Sequence, residues 1–129
     1  MVFPNSYNPK TRHILVMDDD ENVLRIFSRA LKSNNYQVSQ ASSIQQARQY
    51  IDADNYDVFI CDIHMGNERG TDLLLEKSER LSNSQTQVVA ISAYGQYRSL
   101  IEEVGVDFFL EKPVSIGTLL TLIGRLLEQ

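Results

Sequence analysis

From residue 13 onward the hydrophobic positions of the chain switch between two periods. Ile14, Leu15, Val16 and Met17 form a short apolar run that stops at acids, as a buried parallel strand does. From Glu21 to Lys32 the apolar residues Val23, Ile26, Phe27, Ala30 and Leu31 fall at helical spacing. Ser33, Asn34 and Asn35 end that helix. Tyr36 to Ala41 alternates apolar with polar residues and predicts a strand with one exposed face. Ser43 with Gln46 three residues on reads as a capping box, opening a helix with Ile44, Ala47 and Ile51 inward. Val58 to Cys61 predicts a second buried strand, ending at Asp62. Leu73 to Leu81 is an apolar-rich helix, and Val88 to Ile91 a third buried strand ending at Ser92. Arg98 to Val104 predicts a short helix. Phe108, Phe109 and Leu110 form a short strand before Glu111, Lys112 and Pro113. Ser115 caps a last helix in which Ile116, Leu119, Leu120, Ile123, Leu126 and Leu127 follow the 3.6 period.

Five strand–helix units in succession predict an α/β fold. Its parallel sheet is covered on both faces by right-handed crossovers. The carboxyl ends of all the strands then lie along one edge, where open α/β sheets hold their sites. Strand by strand, that edge receives Asp18 and Asp19, Asp62, Ser92 and Lys112. They are spread over nearly the whole chain in sequence and gathered by the topology.

Size and composition narrow the class. A chain of 129 residues fits one domain, and its single cysteine, Cys61, has no internal partner for a disulfide. Twelve basic against seventeen acidic residues give −5, which disfavours direct nucleic-acid binding through a basic face. Apolar runs reach four residues at most, far short of the roughly 20 that span a bilayer. The N-terminus lacks the apolar stretch of a signal peptide, so a reduced, cytoplasmic setting is the expectation, with no membrane partner. Residues 1–12, rich in Pro, Asn and Ser, read as a loose lead-in to a domain over 13–129.

The acids also change meaning at the predicted edge. Asp18, Asp19, Asp20 and Asp62 make up four of the five net negative charges. Carboxylates brought together raise one another's pKa unless a cation neutralises them, and Lys112 supplies one charge. A hard divalent ion is the natural supplement. Mg²⁺ suits a few carboxylates plus waters, with Mn²⁺ as the alternative, and no cysteine–histidine spacing favours zinc. With such an ion, Lys112 and the Ser92 hydroxyl would orient a phosphoryl group, and a carboxylate nucleophile would form an acyl phosphate. Asp62, at the end of the most apolar strand, is the candidate nucleophile.

Four motifs occur in order at the strand ends: ILVMDDDE, VFICDIHM followed by Gly70, VVAISA, and FFLEKP. Together they resemble the receiver domain of bacterial two-component response regulators, of the chemotaxis-regulator type, over nearly all of residues 12–129. The resemblance implies a flavodoxin-like, doubly wound five-stranded sheet with five helices. It implies that Asp62 is the phosphoacceptor and that Asp18, Asp19, Asp62 and the backbone carbonyl of His64 hold the metal. Ser92 and Lys112 would bind the phosphoryl group. Phe109 would be the switch aromatic, and Lys112–Pro113 a cis peptide bond. The donor would be a sensor histidine kinase or a histidine phosphotransfer protein. The switching surface would be the fourth helix, fifth strand and fifth helix, facing an output partner or a second copy in a phosphorylation-dependent homodimer. One position departs from the family pattern: Gly66 stands where the family usually has proline. The freer backbone there predicts a more mobile loop.

Taken singly, each residue has a plain structural role. An acidic run before a helix offsets the helix dipole, Asp20 caps the first helix, and Phe109 packs in the core. Cys61 is a small buried hydrophobe. Two other functions compete with this reading. A haloacid-dehalogenase-like phosphatase would use Asp18 as nucleophile with Asp20 as acid–base, but residues 104–129 lack its second acidic cluster. A non-phosphorylated pseudo-receiver would serve only for binding. His64 and Tyr94 lie two residues beyond Asp62 and Ser92 and border the approach of water to the acyl phosphate. Both are bulky, so replacing them by alanine is expected to speed decay of the phosphorylated form in a time course; unchanged or slower decay overturns that role.

Overall fold

The computed structural model describes residues 11–93 and 104–128. Strand β1 (His13–Met17) leads into helix α1 (Glu21–Ser33), then β2 (Gln37–Ala41) and α2 (Ile44–Ala53). The central strand β3 (Val58–Asp62) is followed by a small hairpin, β4 (His64–Met65) and β5 (Glu68–Arg69). Helices α3 (Gly70–Glu76) and α4 (Ser78–Asn83) come next, then β6 (Gln87–Ser92), β7 (Phe108–Glu111) and α5 (Ile116–Leu126). The predicted helix Arg98–Val104 lies outside the described residues except for Val104, which sits in a turn.

Five strands pair in parallel in the order β2-β1-β3-β6-β7. The chain steps from β1 outward to β2, then returns to place β3 on the other side of β1. The doubly wound, flavodoxin-like sheet therefore reverses direction between β1 and β3, and a crevice opens at the carboxyl ends of those two strands.

Alternation along each strand divides the core. Ile14, Val16, Val58, Ile60, Val89 and Ile91 face α1 and α5, against Leu24, Phe27, Leu31, Leu119 and Ile123. Leu15, Met17, Phe59, Cys61, Val88 and Ala90 face the opposite way, against Ile44, Ala47 and Ile51 of α2 and Leu73, Leu74 and Leu81 of α3 and α4. Every residue of β3 is buried, as expected of a central strand covered on both sides.

The helix starts follow their caps. Asp20 accepts from the amides of Asn22 and Val23 and opens α1. Ser43 accepts from the Gln46 amide at 3.1 Å. The reciprocal bond of the box is displaced by one residue, since Gln46 Oε1 accepts from the amide of Ser42 rather than that of Ser43. Ser115 accepts from the Thr118 amide and opens α5.

The single helix expected over Leu73–Leu81 is divided at Lys77, whose backbone has φ −104° and ψ 13°. No glycine or proline stands there. The Lys77 ammonium lies 2.7 Å from Asp52 on α2, and Arg48 of α2 makes a two-pronged pair with Glu76 at 2.7 and 3.1 Å. Arg80 donates to the carbonyls of Ile51 and Asp54 and so satisfies the carboxyl end of α2. Ties to α2 thus fix both segments, and the periodicity of α3 and α4 says nothing of them.

Gly70 sets how close the hairpin comes to the sheet. A Cβ on Gly70 would stand 2.6 Å from the Asp62 carbonyl oxygen and 2.8 Å from Cys61 Sγ. The Gly70 amide donates to the Ile63 carbonyl at 2.7 Å. Gly70→Ala is expected to destabilise the fold by about 1–3 kcal/mol in denaturant unfolding, because backbone has to move to admit one methyl group. Unchanged stability would show that the hairpin relaxes freely.

Candidate functional site

The carboxyl edge of the sheet collects the polar residues its topology assigns to it. Asp18 directly follows β1, and Asp62 is the last residue of β3; each is 2% exposed. Asp19, next to Asp18, is exposed. One carboxylate oxygen from each of Asp18, Asp19 and Asp62 falls within 4.8 Å of the others. Lys112, just past β7, reaches in from the far side. Its Nζ lies 3.2 Å from Asp62 Oδ2 and 3.5 Å from Asp18 Oδ2.

Backbone amides complete the arrangement. The Asp20 amide donates to Asp18 Oδ1 at 2.9 Å, and the His64 amide to Asp62 Oδ1 at 3.2 Å. The Gly66 amide donates to Asp19 Oδ2 at 3.0 Å. Each acid of the cluster is therefore oriented by a backbone group two residues on or, for Asp19, by the hairpin beyond β3. Asp20 serves the start of α1, and its carboxylate stands outside the cluster of three.

The electrostatics are unfavourable without a further cation. Burial pushes the Asp62 carboxyl up, and repulsion from Asp18 adds to it, to about 6. The charge and hydrogen bond of Lys112 and the His64 amide pull the other way and only partly compensate. Burial also opposes the Lys112 charge, but attraction to Asp62 and Asp18 outweighs it and the lysine's pKa is raised. Three carboxylates against one ammonium leave an excess of negative charge around oxygen donors only. That donor set fits a hard divalent cation and does not fit zinc.

The remaining expected residues lie on the same edge or next to it. Ser92 ends β6, fully buried, and its carbonyl accepts from the Lys112 amide at 2.9 Å. The Lys112–Pro113 peptide bond is cis. Phe109 on β7 is partly buried against the α2–α3 side of the core, while Phe108 is exposed. His64 opens the hairpin after Asp62. Tyr94 lies outside the described residues. Gly66 brings a contact that its sequence signal did not show. The freer backbone of glycine does not by itself signal this contact, in which the Gly66 amide ties the hairpin to Asp19.

A family model for the response regulator receiver domain matches residues 14–124. The chain belongs to the response regulator receiver domain family. It is 28% identical over 112 residues to the nisin biosynthesis regulatory protein NisR of Lactococcus lactis, covering 85% of this chain and 48% of NisR. It is 28% identical to the alginate biosynthesis transcriptional regulatory protein AlgB of Pseudomonas aeruginosa, covering 92% of this chain and 26% of AlgB. The chain thus spans about half the length of NisR and about a quarter of AlgB. Among solved structures it resembles the response regulator protein TrrA of Thermotoga maritima in complex with Mg²⁺ and BeF, with a TM-score of 0.79, 25% identity, and coverage of 90% of this chain and 99% of that one. Among the described residues, no helix is long and apolar enough to cross a membrane.

The raised Asp62 pKa has a consequence for stability. Between its ordinary 3.8 and about 6, Asp62 is protonated in the folded protein and ionised in the unfolded chain, so this residue's contribution to stability declines as pH rises through that range. Above that range, in the absence of divalent ions, Asp62→Asn is expected to stabilise the protein by about 2 kcal/mol. The gain should shrink toward pH 4. Thermal unfolding of both proteins across pH checks this, and equal midpoints at every pH would refute it.

Proposed function

We propose that the chain is a phosphorelay receiver whose Asp62 accepts a phosphoryl group in a Mg²⁺-dependent reaction. The observation that carries the reading is the buried Asp62 carboxylate, set at the end of the central strand between Lys112 and the acids of β1. The donor is a phosphohistidine on a sensor kinase or on a histidine phosphotransfer protein. An Asp62 oxygen bonds to phosphorus, the phosphorus–nitrogen bond breaks, and the imidazole leaves with its electron pair. The product is an aspartyl phosphate.

The chain's own residues divide the work. Asp18, Asp19, Asp62 and the His64 carbonyl hold the divalent ion. Such an ion would supply charge neutralisation for these carboxylates and for the phosphoryl oxygens. Lys112 gives up part of its pairing with Asp62 to stabilise an oxygen of the incoming group. The Ser92 hydroxyl binds another. Catalysis is therefore positioning and electrostatics supplied by the acceptor itself, and the protein acts as a self-modifying switch rather than as a turnover enzyme. His64 and Tyr94 screen the acyl phosphate from water and lengthen its life.

Phosphorylation then alters the far side of β7. Ser92 moves toward the phosphoryl group and Phe109 turns inward, which biases the surface around β7 and α5. That surface is read by an output partner or by a second phosphorylated copy. The receiver spans 13–129, residues 1–12 lead into it, and the setting is cytoplasmic.

Acetyl phosphate with Mg²⁺ tests the reaction by intact mass. The wild-type chain is expected to gain one phosphoryl group that maps to Asp62. Asp62→Asn and chelation of the metal each abolish the gain. A phosphoryl group mapped to Asp18 would point to the phosphatase chemistry instead. No gain, together with no response to beryllofluoride, would leave a binding module.

A further inference from the structure

Gly66 is the one place where the chain departs from the family's pattern at the site, and the structure gives that departure a use. Gly66 and Asn67 form the two-residue turn between β4 and β5, with His64 opposite Arg69 and Met65 opposite Glu68. Gly66 has φ +61°, and Asn67 is not among the described residues with positive φ. Such a turn needs a positive φ at its first residue, which glycine adopts without strain. In that conformation the Gly66 amide donates to Asp19 Oδ2 at 3.0 Å. Proline, usual here in the family, has no N–H and cannot take that φ.

Asp19 needs such a partner more than its two neighbours do. Asp18 and Asp62 are buried and each is held by a nearby amide and by Lys112. Asp19 is exposed, and repulsion from the other two favours turning its carboxylate out into water. One hydrogen bond to Oδ2 opposes this and leaves the other oxygen for a metal ion, since a carboxylate has several acceptor sites. The base of the hairpin is fixed by the Gly70 amide on the Ile63 carbonyl and by the close approach of Gly70 to Asp62. The donor is thus rigidly referred to the end of β3, which carries Asp62.

We propose that the Gly66 amide is a positioning group for divalent-ion binding: it holds Asp19 against Asp18 and Asp62, and so makes the β4–β5 hairpin part of the metal site. This rests on the reading of the acidic cluster as a Mg²⁺ site. The hydrogen bond leaves the Asp19 charge intact, and groups that orient metal ligands in this way commonly contribute tenfold or more to affinity.

Mg²⁺ titration of the full chain, followed by amide NMR, tests the proposal. Gly66→Pro is expected to weaken Mg²⁺ binding by about tenfold. Gly66→Asn keeps the N–H and meets open space but is strained at φ +61°, so it should lose clearly less affinity than Gly66→Pro. Added to Asp19→Ala, Gly66→Pro should cost nothing further, which a general structural defect would not reproduce. In the wild-type protein, Asp19→Ala should shift the Gly66 amide resonance. An unmoved resonance overturns the proposal whatever the proline variant does. So does wild-type affinity in Gly66→Pro, or equal losses in Gly66→Pro and Gly66→Asn. A wild-type chain that binds no Mg²⁺ overturns the metal reading itself, and the positioning role with it.

Discussion

Two like charges confined side by side govern this molecule. Asp18 and Asp62 are buried at the ends of adjacent strands, and their repulsion is met by a lysine arriving from β7. The strand order makes this arrangement unavoidable. Because the chain winds one way after β1 and the other way after β3, no crossover covers the space above those two strands. Whatever residues end them face each other in a crevice. Placing acids there costs stability through burial and repulsion, and Asp62 registers that cost in its raised pKa. Oxygen donors held close together against their own repulsion favour a hard cation, because binding would relieve that repulsion.

Holding such a site requires a frame that does not yield. The sheet's two apolar faces, locked by alternation to α1 and α5 on one side and to α2, α3 and α4 on the other, supply it. Capping fixes the chain where it leaves the edge. Asp20 begins α1 just beyond the first acids, so the turn after β1 is short and its amides point back at Asp18. After β3, Gly70 admits the hairpin within contact of the Asp62 carbonyl. Both acidic ends are therefore followed by tight backbone whose N–H groups donate to the carboxylates and orient them.

Most of this frame is legible in the residues because its signals are local. A buried strand ending in aspartate, a Ser or Asp cap, and a 3.6-residue apolar stripe each lie within a dozen positions. The convergence of Asp18, Asp62 and Lys112 also follows, since five strand–helix units dictate a common edge. The features that escaped the sequence depend on partners distant in the chain. The apolar stripe breaks into two helices at Lys77, a residue paired with Asp52 of α2. The Gly66–Asp19 bond joins residues whose proximity appears only after the hairpin has folded back toward β1. A glycine in place of proline signals altered backbone freedom, and only the fold tells whether that freedom becomes motion or a directed donor.

The sheet register also offers a short route for a change at the acids to leave the crevice. Ser92 pairs in register with Glu111, and the Lys112 amide binds the Ser92 carbonyl. The lysine that neutralises Asp62 and the hydroxyl expected to meet a phosphoryl group are thus joined at the same strand ends. Two residues back along β7 lies Phe109, partly buried and one step from the exposed Phe108. In the proposed switch, Lys112 exchanges part of its attraction to Asp62 for a phosphoryl oxygen while Ser92 is drawn the same way. Both displacements load the end of β7, the edge strand, whose Phe109 is less tightly enclosed than any side chain of β3. Packed interiors resist small shifts and edges accommodate them. In that reading the electrostatic change arises beside the fully buried β3, and its mechanical consequence reaches β7, an edge strand with partly exposed side chains.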